Sequence, residues 1–121
     1  MSKKVLIIED AKDLLTLYTK FLRDAGCELI TATSALEALK YLETGKPDLI
    51  VMDLTFPDMS TMDFYEQIAA NPALDSITKI LVSGRDDLTT WVDVFNAIKG
   101  LRKPVQRDVF YKAVTDGLRE L

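Results

Sequence analysis

Short apolar runs alternate along the chain with longer stretches whose apolar residues recur every three or four positions. Val5, Leu6, Ile7 and Ile8 form the first run, as a strand covered on both faces requires. Helical spacing follows in Leu14, Tyr18, Phe21, Leu22 and Ala25, and Gly26 is expected to stop that helix. Residues 28–32 predict a second strand around Leu29 and Ile30. Ser34-Ala35-Leu36-Glu37 matches a capping box, in which serine and glutamate satisfy free backbone donors reciprocally. The helix it opens is expected to turn Leu36, Leu39 and Leu42 inward and to end at Gly45 and Pro47. A third strand is predicted over residues 49–53, ending on Asp53.

Ser60 or Thr61 can cap the next helix, whose apolar side is Phe64, Tyr65 and Ile68, with Asn71-Pro72 as its end. Residues 79–83 predict the fourth strand. In residues 88–99 the β-branched residues suit a strand, yet Leu88, Trp91, Val92, Phe95 and Ile98 share one helical face, which favours helix. A very short fifth strand is expected at 100–102. The last helix is expected to turn Val109, Phe110, Ala113, Val114, Leu118 and Leu121 inward. Five strands alternating with five helices imply a parallel sheet covered on both faces, with right-handed crossovers.

The bulk numbers narrow the function. With 121 residues, one domain over residues 1–121 is expected, with no output domain after the last helix. The net charge is −4 and the basic residues are scattered, which argues against direct nucleic-acid binding. The first apolar run is too short for a signal peptide or a membrane span, so a cytoplasmic protein without membrane insertion is expected. One cysteine, Cys27, excludes an internal disulfide and reads as packing. The chain has no histidine, which removes the commonest general base and any phosphohistidine of its own.

In a parallel sheet all strand carboxyl ends share one edge, where such folds place their chemistry. Glu9 and Asp10 end the first strand, Asp53 the third and Ser83 the fourth, and Lys103 follows the fifth. If strands one, three, four and five are neighbours, these groups converge. Carboxylates at close range need a cation or raised pKa values, and an oxygen-rich cluster suits Mg²⁺. The lysine supplies a point charge and the serine a short hydroxyl donor. An anion site beside a metal site is what phosphoryl transfer needs.

This ordered set resembles the receiver domain of two-component response regulators over essentially the whole chain. The residues that carry the resemblance are Glu9-Asp10, Asp53 within the run Asp-Leu-Thr-Phe-Pro-Asp-Met, Ser83 with small Gly84, and Lys103-Pro104. The resemblance implies an α/β, flavodoxin-like (βα)5 three-layer sandwich with a five-stranded parallel sheet of order 2-1-3-4-5. It implies Asp53 as phosphoacceptor, and Asp10, Asp53 and the backbone carbonyl of Thr55 as Mg²⁺ ligands, with Glu9 reaching the metal through water. Ser83 and Lys103 would bind the phosphoryl group, and the Lys103-Pro104 bond is commonly cis in the family. The implied donor is a phosphohistidine on a sensor histidine kinase or histidine phosphotransfer protein, and the implied output is an unknown downstream protein. Self-phosphorylation and autodephosphorylation would be the only chemistry, so the chain is not expected to be an enzyme in the ordinary sense. Thr55 and Arg85 stand where receivers tune hydrolysis.

The sequence also departs from the pattern. Three positions before the lysine, where receivers carry a tyrosine or phenylalanine that swings inward, stands Gly100. Thr61 stands where a glycine is common, and the stretch from Ser83 to Lys103 is slightly short. A degenerate receiver serving as a constitutive protein-binding module is therefore the alternative. A haloacid-dehalogenase-like phosphatase fits less well, because the second aspartate of its motif is missing after Asp53-Leu54-Thr55. A flavodoxin fits poorly too, because Glu9-Asp10 would repel the phosphate it must cradle.

Overall fold

The computed structural model describes residues 2–119. Five parallel strands form one sheet in the order β2-β1-β3-β4-β5. They are β1 (Lys4–Ile8), β2 (Glu28–Ala32), β3 (Leu49–Met52), β4 (Thr78–Ser83) and β5 (Lys99–Arg102). The helices are α1 (Lys12–Phe21), α2 (Ala35–Thr44), α3 (Thr61–Ala69), α4 (Pro72–Asp75), α5 (Leu88–Phe95) and α6 (Arg107–Arg119). No helix among the described residues is long and apolar enough to cross a membrane.

Side chains of the central strands alternate between two cores, as the pleat dictates. Leu6, Ile8, Ile50, Met52 and Leu81 face α2, α3 and α5 through Ala38, Leu42, Phe64, Ile68 and Phe95. Val5, Ile7, Leu49, Val51, Ile80 and Val82 face α1 and α6 through Tyr18, Leu22, Phe110 and Val114. The Tyr18 and Phe110 rings stack with centroids 4.7 Å apart. Both sheet faces are thereby sealed, which is why β1, β3 and β4 read as unbroken apolar runs.

Several expectations need correction. Asp53 lies one residue beyond β3, not within it. The described residues hold six helices, because Asn71 ends nothing itself: α3 is already finished, and the Asn71 side chain caps the one-turn α4 by accepting from Ala73 N–H at 3.0 Å. α1 stops at Phe21, and a turn carries the chain on to Gly26, whose φ of 73° suits glycine. Leu36 is 59% exposed. Small Ala35 and Ala38 bring α2 close to the sheet, and the buried stripe runs through them to Leu42, leaving Leu36 about 100° off that stripe. Val109 is 50% exposed for the same reason, since the α6 stripe runs through Phe110, Val114, Gly117 and Leu118. Leu121 lies outside the described residues. α5 ends at Phe95, because Asn96 takes a left-handed conformation (φ 54°). Ile98 therefore leaves the helical face, and β5 starts one residue before the predicted position.

The capping box is present in altered form. Ser34 Oγ accepts from Glu37 N–H at 3.1 Å, but the Glu37 carboxylate accepts from Thr33 N–H and not from the cap residue. The other α2 amides have a partner from further along the chain. Asp58, in the loop after β3, accepts from Ala35 N–H at 3.0 Å and from Leu36 N–H at 2.9 Å.

Candidate functional site

The backbone ladder runs one step beyond the strands, and that step places the polar groups. Glu9 N–H donates to Ala32 O at 3.0 Å, Asp53 N–H to Ile8 O at 3.1 Å, and Lys103 N–H to Ser83 O at 3.1 Å. Glu9, Asp53 and Lys103 are thus fixed by main-chain bonds at the carboxyl edge of neighbouring strands.

Their side chains meet there. Lys103 Nζ donates to Glu9 Oε1 at 2.9 Å and to Asp53 Oδ2 at 2.8 Å. Glu9, Asp10 and Asp53 each offer a carboxylate oxygen, and these lie within 4.8 Å of one another. Glu9 is 2% exposed and Asp53 9%, whereas Asp10 faces solvent. Asp53 Oδ1 accepts from Leu54 N–H at 2.6 Å and more weakly from Thr55 N–H at 3.4 Å. Ala11 N–H donates to Glu9 Oε2 at 3.1 Å. The Lys103-Pro104 peptide bond is cis.

The electrostatics follow from burial. Burial raises the Glu9 pKa, against the opposing pull of the Lys103 ammonium and the Ala11 N–H. Burial also works against charge on Lys103, but its bonds to Asp53 and Glu9 outweigh it and hold the ammonium well above the ordinary lysine range. The lysine is therefore a fixed cation. Three carboxylates facing one ammonium leave an excess of negative charge, and the donor set is all oxygen, open to solvent on the Asp10 side. Such a set fits a hard divalent cation that keeps several of its waters.

The remaining expected residues sit around this centre. Ser83 is buried at the end of β4, where its hydroxyl accepts the Arg85 N–H at 3.0 Å. Thr55 is exposed, two residues past Asp53. Arg85 does more than its position suggested. Its guanidinium donates to Asp87 Oδ1 at 3.0 Å and Oδ2 at 2.7 Å, to Thr61 Oγ1 at 3.0 Å and to Leu54 O at 3.4 Å. Thr61 also donates its hydroxyl to Leu54 O. A hydroxyl at position 61 thus ties α3 to the residue next to Asp53, which a glycine there could not do. Neither this bond nor the Asp58 cap is announced by the local sequence. The signal available for Asp58 was a carboxylate just after a proline in a loop, with nothing to name the distant amides it serves.

A doubly wound parallel sheet with an acidic cluster and a paired lysine at its carboxyl edge is the arrangement expected of a receiver domain. The family model for the response regulator receiver domain matches residues 5–115. The chain belongs to that family. It is 33% identical over 87 residues to the alkaline phosphatase synthesis transcriptional regulatory protein PhoP of Bacillus subtilis, covering 72% of this chain and 35% of that protein. It is 27% identical over 112 residues to the chemotaxis protein CheY of Listeria monocytogenes, covering 92% of this chain and 94% of that one. Among solved structures, the signal receiver domain of a putative LuxO repressor protein from Vibrio parahaemolyticus superposes with a TM-score of 0.88 at 28% identity. That match covers 99% of this chain and 92% of the other, and the three-layer flavodoxin-like fold is common to both. The chain thus spans about a third of the PhoP regulator but nearly all of the chemotaxis protein.

Proposed function

We propose that the chain is a phosphoacceptor switch in a two-component phosphorelay, with Asp53 as the residue modified. The single observation that carries this reading is the contact of Asp53 with Lys103 beside two further carboxylates. An Asp53 oxygen attacks the phosphorus of a phosphohistidine on a sensor histidine kinase or histidine phosphotransfer protein. The phosphorus–nitrogen bond breaks, the imidazole leaves, and Asp53 becomes an acyl phosphate. Water later attacks that phosphorus and returns inorganic phosphate and the free carboxylate. Mg²⁺, when bound, would neutralise charge on the phosphoryl oxygens. Asp10, Asp53 and the Thr55 carbonyl would hold it, with Glu9 reaching it through water.

This chain's own residues supply the rest. Lys103 is already placed at an Asp53 oxygen and supports the charge that spreads over the transferring group. Burial of Glu9 and Asp53 keeps that interaction poorly screened. Ser83, next to Lys103 along the edge, offers a hydroxyl to the phosphoryl group once formed. The modification then alters the affinity for a downstream protein, since a switch requires different affinities for its two states. The acidic cluster and its lysine are complete, which opposes a degenerate receiver that merely binds. Incubation with acetyl phosphate and Mg²⁺ should add the mass of one phosphoryl group to the wild type and none to Asp53→Asn. An addition that survives in Asp53→Asn, or no addition to the wild type, overturns the proposal.

A further inference from the structure

Gly100 removes the usual aromatic reporter, and the space it would need is filled. A Cβ at Gly100 would lie 2.7 Å from Val92 Cγ2 and 3.3 Å from Leu88 Cγ, so α5 packs directly on β5. Another connection runs from the site to α5. Arg85 touches Leu54 O and Thr61 at one end of its fork and both Asp87 oxygens with the other. Asp87 Oδ2 accepts in addition from Trp91 Nε1 at 3.0 Å, one turn into the helix. Asp87 stands at the N-cap of α5, yet its side chain makes no cap hydrogen bond. A favoured capping residue is thus diverted from the amides it could serve.

We propose that Arg85, Asp87 and Trp91 form the output latch of this receiver. The inference rests on phosphorylation of Asp53. In the unmodified chain the Asp87 carboxylate holds the Arg85 fork and the Trp91 indole. A phosphoryl group on Asp53 brings a nearly doubly charged anion one residue before Leu54, whose carbonyl already accepts from the Arg85 fork at 3.4 Å. Arginine pairs with phosphate through the same two-pronged geometry it uses for carboxylate, and the larger charge wins the fork. Asp87, released, rotates to cap the α5 amides at Thr89 and Thr90, and Trp91 loses its acceptor. Two hydrogen-bonding arrangements of one carboxylate are exchanged, so neither state leaves Asp87 without donors. The signal emerges as a changed α5 N-terminus and a freed indole, and no aromatic swing through the sheet edge is needed.

Trp91 is the chain's single tryptophan, so its indole reports without interference. The test uses the full chain with Mg²⁺ and beryllofluoride, an acyl-phosphate mimic, read by two signals. Fluorine NMR shows whether the mimic is bound at the site. Proton–nitrogen NMR follows the Trp91 indole N–H and the exchange rates of the Thr89 and Thr90 amides. In the wild type the bound mimic should move the indole resonance and slow amide exchange at Thr89 or Thr90 severalfold. In Asp87→Ala the mimic should still bind, while the indole sits at its released position with and without it and exchange is not slowed. In Arg85→Gln the indole should start near the released position and respond little at equal occupancy. A wild type that binds the mimic without moving the indole overturns the latch alone. So does an Arg85→Gln or Asp87→Ala response equal to the wild type. A wild type that fails to bind the mimic overturns the phosphoacceptor reading, and the latch with it.

Discussion

Replacing Lys103 by methionine removes the charge and keeps most of the volume. At 2.8–2.9 Å, each pairing with Asp53 and Glu9 is worth about 6 kcal/mol in Coulomb energy at an effective dielectric near 20. Desolvation of the three groups offsets most of that. The lysine side chain is 23% exposed, against 2% for Glu9 and 11% for Asp53. Truncating one partner of such a buried set leaves carboxylates uncompensated and costs about 3–5 kcal/mol, with solvent access at the mouth favouring about 3. The loss depends on pH with a definite sign. Burial raises the Glu9 pKa from its ordinary 4.5. The stabilisation linked to Glu9 is therefore present below pH 4.5 and is lost as pH climbs through its raised value. Without Lys103 that value rises further, so the variant sheds more stability than the wild type over this window. Urea unfolding without Mg²⁺ should show the variant midpoint lower by about 1–3 M at pH 8, for a slope of about 1–3 kcal/mol per molar. The gap should narrow toward pH 4.5. Coincident midpoints at pH 8, or a gap that widens in acid, would mean that Lys103 does not compensate the buried carboxylates.

Other perturbations test other parts of the structure. Asp58→Ala strips two α2 amides of their acceptor and should cost about 1–2 kcal/mol by chemical denaturation. Slight burial works against the Asp58 charge, but the Leu36 and Ala35 amides prevail and hold its carboxyl below 3.8, so this contribution should persist at neutral pH and vanish as acid reaches that lowered value. Gly100→Ala places a methyl 2.7 Å from Val92 Cγ2 and should destabilise by about 1–3 kcal/mol; a neutral or stabilising result would mean that α5 yields freely. Mg²⁺ at a hundred times its dissociation constant should add about 2.7 kcal/mol to stability, reversed by chelation and largely absent in Asp10→Asn.

Legibility in the sequence followed the range of the interactions. Strands β1, β3 and β4 were plain because both faces are buried, and their polar ends marked the site. Glu9, Asp53 and Lys103 could be named because a parallel sheet puts strand ends on one edge whatever the loops do. Whether α2 presents Leu36 or Ala35 depends on how closely the helix approaches the sheet, and the leucines concealed the alanine stripe. Lys79 is harder still. It heads an apolar run, but its ammonium is buried against the Asp75 and Ile77 carbonyls at 2.7 and 2.8 Å, which no local pattern announces. The Asp58 cap and the Arg85 fork each join residues more than twenty positions apart. Their partners become visible only once the fold has brought them together.

Asp53, and no neighbouring carboxylate, is proposed to take the phosphoryl group. An acyl phosphate is reduced by borohydride to an alcohol, which turns the modified aspartate into homoserine. The chain is treated with acetyl phosphate and Mg²⁺, reduced, digested and sequenced by mass spectrometry. Homoserine at position 53 is the expected result. Conversion at Glu9 or Asp10 instead, or at no position, would contradict it.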